Sequence, residues 1–218
     1  MFLQKKLLAV RHLKGFFIGA LSLAFQSCSA PDLNDPEVLK TAFRKAIPIS
    51  ELSRERMHGI IMLFVDGKGE PFTGWVKEEW NKHTAKTLGF IKKGQREGLW
   101  LTWHPNGSKA TETYWQMDLM DGSFQTWYEN GKTEIIGQTK DGEVDGEWKR
   151  YYANGQLLET SLNRIGRLVR IKVWRYDGQA CHQSEVQKGY GAYILYDENG
   201  TKVERRVFES GVQVNPDE

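Results

Sequence analysis

The chain has 218 residues, and its 30 Lys and Arg against 28 Asp and Glu give a formal charge of +2. Four of the bases and none of the acids lie in residues 1–27, so the remainder holds 30 − 4 = 26 bases and 28 acids, a charge of −2. A near-neutral chain without a basic stretch lacks the electrostatic footprint of a nucleic-acid-binding protein. We therefore exclude nucleic acid as a partner.

The first 27 residues have the pattern of a bacterial export signal. Basic residues precede an apolar run at residues 16–25, which is too short to span a bilayer and suits the middle of a signal peptide. The residues before Cys28 resemble the lipobox of bacterial lipoproteins. The resemblance implies an exported protein lipid-anchored through Cys28 at the periplasmic or outer-membrane face. Cleavage after Ala30 and an uncleaved start are the alternatives.

A short helix is predicted after a polar tether at residues 28–37. Asp35 suits the N-cap position and Pro36 the first helical position. Apolar residues then recur at helical spacing, namely Val38, Leu39, Ala42, Phe43, Ala46 and Ile47. We expect residues 38–58 to form a helical cap and lead-in that covers the first edge of the next domain. Residues 59–65 read as a strand closed by a turn at Asp66-Gly67.

A 24-residue repeat organises the rest of the chain. The segments GLWLTWHPNG, GSFQTWYENG and GEWKRYYANG begin at Gly98, Gly122 and Gly146. Including diverged copies, the six opening residues are Gly74, Gly98, Gly122, Gly146, Val169 and Gly191. A fixed period of this length indicates an array of supersecondary units.

Each copy is predicted to be a β-hairpin. Five copies end on a turn dipeptide, at Asn106-Gly107, Asn130-Gly131, Asn154-Gly155, Asp177-Gly178 and Asn199-Gly200, and such dipeptides favour tight two-residue turns. Lys82 and His83 take this place in the first copy, which predicts a looser or longer connection there. Between hairpins, Gly94, Asp118 and Gly142 mark return turns. We predict a mainly β fold, an elongated antiparallel hairpin array at residues 59–211 of about thirteen strands, with a frayed tail at residues 212–218.

Two columns of large side chains run through the copies. The first ladder, two positions after the opening residue, is Val76, Trp100, Phe124, Trp148, Ile171 and Tyr193. Equivalent positions on neighbouring strands stack on one face, so we predict that the first ladder is core.

The second ladder, five positions after the opening residue, is the candidate binding site. It consists of Trp103, Trp127, Tyr151, Trp174 and Tyr196, with Glu79 in the first copy and Trp80 displaced by one position. Positions two and five differ in parity and point to opposite faces of a regular strand. Three alternatives stay open: a bulge returns this ladder to the core, it is a partly covered structural row on the more solvated face, or it is a platform for a ligand.

These motifs resemble the bacterial MORN-repeat variants. The resemblance rests on a PFTG-like segment at residues 71–74, a DGxW element at residues 145–148 and a YxNG element at residues 152–155, and it covers about residues 49–211. It implies a meander of antiparallel hairpins that acts as an interaction module. Some proteins of this kind are named as YwqK-type antitoxins, and eukaryotic relatives are associated with membranes and scaffolding.

No motif for catalysis or metal binding stands out in the sequence. It lacks HExxH, GxSxG, P-loop and paired CxxC patterns. Asp141, Glu143 and Asp145 imitate the start of a calcium loop, but its twelfth position is Tyr152, which cannot supply a bidentate carboxylate. We predict a protein that is not an enzyme and uses no metal or cofactor.

Cys181 is the only cysteine besides Cys28. If Cys28 is lipidated, a disulfide framework is excluded, and we interpret Cys181 as a lone buried thiol, with a labile or intermolecular thiol as the alternative. A nucleophile formed with His182 is disfavoured, because neighbours in a strand point apart and no third orienting group is evident.

The combined pattern predicts a non-catalytic protein-interaction module at the cell envelope. It would act as a scaffold or as an antitoxin-like inhibitor of a protein partner. The alternative is a glycan-binding or cell-wall-binding module, in which the flat rings of the second ladder would stack on sugars.

Overall fold

The computed structural model describes residues 30–57, 60–65 and 70–215, without the side chains of residues 56–65. The predicted signal peptide, Cys28 and the Asp66-Gly67 turn lie outside these residues. Across the described ranges, none of the helices is long and apolar enough to cross a membrane.

The chain forms one α-helix, one short 3-10 helix and sixteen strands within those ranges. The helices are α1 (Pro36–Lys45) and the 3-10 helix Ile49–Glu51. The strands are β1 (Ile47–Pro48), β2 (Leu52–Met57), β3 (Ile60–Val65), β4 (Gly74–Asn81), β5 (Thr84–Lys92), β6 (Gln95–Trp103), β7 (Lys109–Gln116), β8 (Leu119–Trp127), β9 (Thr133–Lys140), β10 (Glu143–Tyr151), β11 (Leu157–Arg164), β12 (Arg167–Val173), β13 (Glu185–Gln187), β14 (Tyr190–Tyr196), β15 (Lys202–Glu209) and β16 (Val212–Val214).

Fourteen of the strands make one meander sheet. Strands β4 to β16 follow each other in chain order and pair antiparallel, while β1 pairs parallel with β4. Strands β2 and β3 form a separate hairpin. The predicted mainly β, antiparallel hairpin array with a short N-terminal helix is thus confirmed, with one strand more in the main sheet than expected.

The N-terminal helix begins as predicted but packs elsewhere. Asp35 caps α1, since its carboxylate accepts hydrogen bonds from the backbone amides of Glu37 and Val38. The predicted role as an edge cap is wrong, because α1 lies over a sheet face, with the Phe43 ring 5.5 Å from that of Trp103. The edge at β4 is instead paired by β1.

The Asn-Gly connections are longer than expected. The Asn-Gly loops of the three regular copies span five residues, at 104–108, 128–132 and 152–156. In the first of them Gly107 has a φ of +84° and donates its amide hydrogen to the carbonyl of His104. The prediction of two-residue turns at Asn-Gly was wrong, because only the glycine of each pair adopts a positive φ.

The return turns are the two-residue ones. Both of their residues have positive φ, as at Lys93-Gly94, Met117-Asp118, Asp141-Gly142, Ile165-Gly166, Lys188-Gly189 and Ser210-Gly211, which is the requirement of a type I′ hairpin. The prediction that Asp118 stands where Gly94 and Gly142 stand is confirmed. The connection at Lys82-His83 is also only two residues long, so the prediction of a looser or longer loop there was wrong.

The sheet has two faces that differ in what covers them. The helix face carries Leu99, Leu101 and Trp103, which pack with α1, and the groove face carries Val76 and Trp100, which pack with Leu52 and Ile49. Two core clusters thus lie back to back at the N-terminal end. A third core cluster, around Ile171, Val186 and Tyr193, lies at the C-terminal end.

The sheet continues to the end of the described chain. Residues 212–218 were predicted as a frayed tail, but Val212–Val214 form β16, which pairs with β15. The Ser210-Gly211 turn is anchored from both sides, because the amide of Gly211 donates to Gly189 and its carbonyl accepts from Leu168. These backbone hydrogen bonds hold the last hairpin in the sheet, which the sequence did not predict.

Candidate functional site

The groove face carries two parallel rows of side chains across the central strands. Directly paired residues share a face of an antiparallel sheet, and pairing joins one row in the order Glu78, Thr87, Thr102, Thr111, Thr126, Ile135, Arg150 and Glu159. The neighbouring row contains the first ladder. The groove face therefore sets a strip of hydroxyl groups beside a strip of aromatic rings.

The first ladder is core only in part. Val76, Trp100, Ile171 and Tyr193 are buried as predicted, whereas Phe124 and Trp148 in the middle of the sheet are half-buried. The indole of Trp148 lies flat on Gly137, where a Cβ atom would come within 2.2 Å of the ring. Trp100 lies on Gly89 in the same way, so these two glycines leave room for indoles that form the floor.

A groove of about 1050 Å³ opens between Trp100 and strand β2. Leu52 and Arg54 line it on the β2 side. At the other end the guanidinium of Arg96 stacks on Trp115, 3.4 Å from the ring centroid, and its Nε donates to Asp118 at 2.7 Å. Met117 and Leu119 beside it are 61 % and 48 % exposed, so the groove has an apolar mouth.

A smaller cavity of about 370 Å³ lies further along the same face. Trp148, Tyr193 and Phe208 provide aromatic walls, and Ser161 and Asn163 provide polar ones. Glu159 also lines this cavity, and its side chain is 16 % exposed. The groove face thus offers two concave sites on one surface.

Charged side chains cluster around the smaller cavity. Arg206 binds Glu204 through two hydrogen bonds of 2.8 Å and donates to the Tyr193 hydroxyl at 3.2 Å. Arg150 lies 3.6 Å from Glu159. Burial raises the pKa of Glu159, and the charges of Arg150 and Arg206 lower it by less. Burial likewise raises the pKa of Tyr193, which remains a neutral phenol.

The second ladder lies across the ends of the hairpins that carry the Asn-Gly loops, and all five of its members, Trp103, Trp127, Tyr151, Trp174 and Tyr196, are half-buried. A register shift accompanies four of them, as between Thr102 and Trp103. Even so, Trp103 packs on the helix face, opposite Trp100. Of the three alternatives, Trp103 therefore fits the partly covered structural row.

The neighbours of the second ladder limit its use as a platform. Trp103 is covered by Phe43 of α1, and Lys109 stands over the ring of Trp127 at 5.2 Å. Arg175 stands over the ring of Tyr196 at 4.9 Å. Glycan stacking on this row therefore stays a prediction, restricted to its central members.

A further column, which the sequence reasoning missed, connects the hairpins. His104, Tyr128 and Tyr152 each make a side-chain hydrogen bond with a second-ladder backbone carbonyl of the next copy, at 2.7, 2.7 and 3.0 Å. Trp80 does the same with the carbonyl of Trp103. Trp80 is therefore in register with this column rather than displaced from the second ladder. Burial raises the pKa of Tyr152 to about 12, so it stays a donor at physiological pH.

One acid of the imitated calcium loop, Asp145, has a structural partner. Asp145 accepts a hydrogen bond from the amide of Ile165 at 3.0 Å, as Asp121 does from Asp141 and Thr73 from Lys93. These three side chains occupy the same place in three of the copies, and each binds the return turn of the following hairpin. Over residues 30–57, 60–65 and 70–215, no group of three or more His, Cys, Asp or Glu could hold a metal ion.

Cys181 is a buried free thiol, as predicted. It packs in the C-terminal core cluster beside Val173, and burial raises the pKa of the thiol. His182 is exposed. The predicted lone buried thiol is confirmed.

The fold and its regular inter-hairpin bonds define a β-hairpin repeat protein. Three of its segments, residues 96–116, 120–141 and 144–162, match the family model described as MORN repeat variant. The matched segments coincide with the hairpins β6–β7, β8–β9 and β10–β11, so the chain contains MORN-variant repeats in its central part. Comparison with curated proteins gave no match.

Proposed function

We propose that this protein is a non-catalytic interaction module that binds a protein partner along its groove face. Repeats of this type are in general modules for protein or membrane interaction. The observation that carries the proposal is the groove of about 1050 Å³ with its apolar mouth. It is at the upper end of the size of small-molecule pockets, and it is open along a sheet rather than closed around a ligand.

The chemistry of the groove suits a polypeptide. Exposed Met117 and Leu119 offer apolar contact, and the threonine hydroxyls and Arg96 offer hydrogen bonds. Apolar anchors surrounded by polar groups are the usual anatomy of a protein interface, in which Met, Trp and Arg are enriched. In our proposal the protein is lipid-anchored at the cell envelope through Cys28 and acts there as a scaffold or an antitoxin-like inhibitor.

Site-specific photo-crosslinking in cells tests this assignment. A photoreactive residue is placed at Met117, at the groove mouth, and separately at Ile136, which is 39 % exposed on the opposite face. We expect one protein to be captured from Met117 at near-equal stoichiometry and not from Ile136. Capture from Ile136 alone, or no protein from either position, would overturn the proposal.

The glycan alternative gives a different result in the same material. Bound sugar without a captured protein, lost on Trp127→Ala, would establish the second ladder as a glycan platform. Trp127 is the matched choice because its ring faces no aromatic side chain of α1, unlike that of Trp103. Fractionation of the wild type and Cys28→Ser tests the anchor, since loss of the lipid should release the protein from the membrane fraction.

A further inference from the structure

The smaller cavity of the groove face contains a carboxylate with incomplete hydrogen bonding. Among the described residues, Oε2 of Glu159 is buried and has no hydrogen-bond partner. The nearest cationic atom, Nη1 of Arg150, lies 3.6 Å away, which is an ion-pair distance but longer than a hydrogen bond. Buried acceptors are almost always satisfied in folded proteins, so this oxygen points to a donor from another molecule.

The second nearby guanidinium does not supply that donor. Nε and Nη2 of Arg206 are directed to the two oxygens of Glu204, and Nη1 is directed to the Tyr193 hydroxyl. Two arginines and two glutamates thus balance each other around the cavity. A cation that reaches Glu159 therefore meets no net positive charge.

The cavity walls suit an organic cation with an apolar stem. The volume of the cavity, about 370 Å³, is at the lower end of the volumes of ligand pockets. The Tyr193 and Phe208 rings stack with their centroids 5.6 Å apart, and Trp148 also lines the cavity. Aromatic rings attract cations through their quadrupoles, and this attraction grows when the cation is desolvated.

We propose that this cavity binds an alkylammonium or guanidinium group, which donates a hydrogen bond to Oε2 of Glu159 while its stem packs on Trp148, Tyr193 and Phe208. The source that fits the proposed function is a lysine or arginine side chain of the protein partner, and to that extent the inference rests on that function. A free amine is the other source of the same chemistry. The raised pKa of Glu159 agrees with a carboxylate that lacks a full set of donors.

The test uses the full chain and a small probe that needs no partner. The protein is titrated with n-butylammonium chloride and with the neutral isostere 1-butanol while the indole signal of Trp148 is followed by NMR. We expect saturable shifts with butylammonium, and weakening of at least about tenfold in Glu159→Gln, since a charge-assisted hydrogen bond is lost. Glu147→Gln, which removes an exposed carboxylate on the helix face, should bind as wild type does.

A second variant covers the case in which Glu159→Gln does not fold. Ser161→Lys places a tethered ammonium in the cavity and should block butylammonium binding. No saturable shift in the wild type, or equal shifts with butylammonium and butanol, would overturn the inference.

A peptide arm separates the two sources of the cation. An acetylated, amidated Gly-Lys-Gly peptide that binds while its norleucine analogue does not indicates a protein side chain. Binding of butylammonium but not of the lysine peptide indicates a free amine. If butylammonium fails while crosslinking from Met117 captures a protein, the cavity assignment falls and the proposed function stands.

Discussion

The Tyr128 hydroxyl donates a hydrogen bond of 2.7 Å to the backbone carbonyl of Tyr151, 23 residues further along the chain. This bond joins one hairpin loop to the end of strand β10 in the next copy. Asn130 adds a bond from the same loop to the loop that follows β10, from its side-chain amide to the carbonyl of Ala153. Each copy therefore holds the next one at its loop end as well as along its strands, as nearest-neighbour coupling in a repeat array requires.

The first prediction concerns this coupling. Tyr128→Phe keeps the ring and removes the hydrogen-bond donor, so we expect a loss of about 1 kcal/mol in the free energy of unfolding. Urea denaturation followed by tryptophan fluorescence measures it. Tyr190→Phe is the control, because that hydroxyl pairs with Ser210 at an exposed site. Equal losses in both variants would show that the inter-hairpin hydrogen bond contributes no more to stability than an exposed one.

The second prediction concerns the packing of the Trp148 indole on Gly137. Gly137→Ala places a Cβ atom 2.2 Å from the indole, and the ring must move off the strand. Overpacking of this kind costs about 1–3 kcal/mol, measured as a shift of the urea midpoint. In a Trp148→Leu background the same glycine substitution should cost much less. An unchanged cost there would mean that Gly137 is required for its backbone rather than for the indole.

The array could be predicted from the sequence because its signals are local and repeated. Glycines at 24-residue spacing and the first ladder predicted hairpins, sheet order and the N-terminal core, and Asp35-Pro36 predicted the start of α1. Which turn is the tight one could not be predicted, because Met117-Asp118 and Ile165-Gly166 adopt positive φ without a typical Asn-Gly pair. The packing of α1 on a face depends on contacts such as Phe43 with Trp103, which are distant in sequence.

The candidate site was less predictable than the fold. The groove face depends on the pairing of Thr87, Thr102, Thr111 and Thr126 across four strands. These threonines fall in two columns of the 24-residue repeat, with Thr102 and Thr126 at one place and Thr87 and Thr111 at another. Reading only the columns of large side chains overlooked them and selected the second ladder, and the strand register that sets the two threonine columns side by side is not visible in the period. The alignment of Arg150 with Glu159 likewise follows from strand register, which a period alone does not define.

The third prediction concerns a strained turn residue. Ile165 has a φ of +47° and is 70 % exposed, although a β-branched side chain is unfavourable in that backbone region. Ile165→Asn keeps the amide that donates to Asp145 and should stabilise the fold by about 1 kcal/mol. Thermal unfolding gives the measurement. Asp141→Asn, at the equivalent turn position, should change little, and a gain there as large as that at Ile165 would remove the strain argument.

The fourth prediction follows from the raised pKa of Glu159. Because the folded state holds this proton more tightly than the unfolded chain, the stability linked to it is fully present below the unfolded pKa of about 4.3. It is lost as pH rises through the folded pKa. Glu159→Gln cannot titrate, so its stability relative to wild type should increase as pH rises from about 4 towards 8. Urea denaturation across that range measures the difference.

The sign of this difference separates burial from ion pairing as the dominant influence on Glu159. If the charges of Arg150 and Arg206 outweighed burial, the folded pKa would be lowered, and the wild type would instead gain stability over Glu159→Gln as pH rises. Glu147→Gln is the matched control, because it removes a carboxylate that is 69 % exposed on the opposite face. A pH trend as large as that of Glu159→Gln would remove burial as its cause. Saturating butylammonium should make the wild type more stable as pH rises, since a bound cation stabilises the ionised carboxylate. It should leave the stability of Glu159→Gln unchanged.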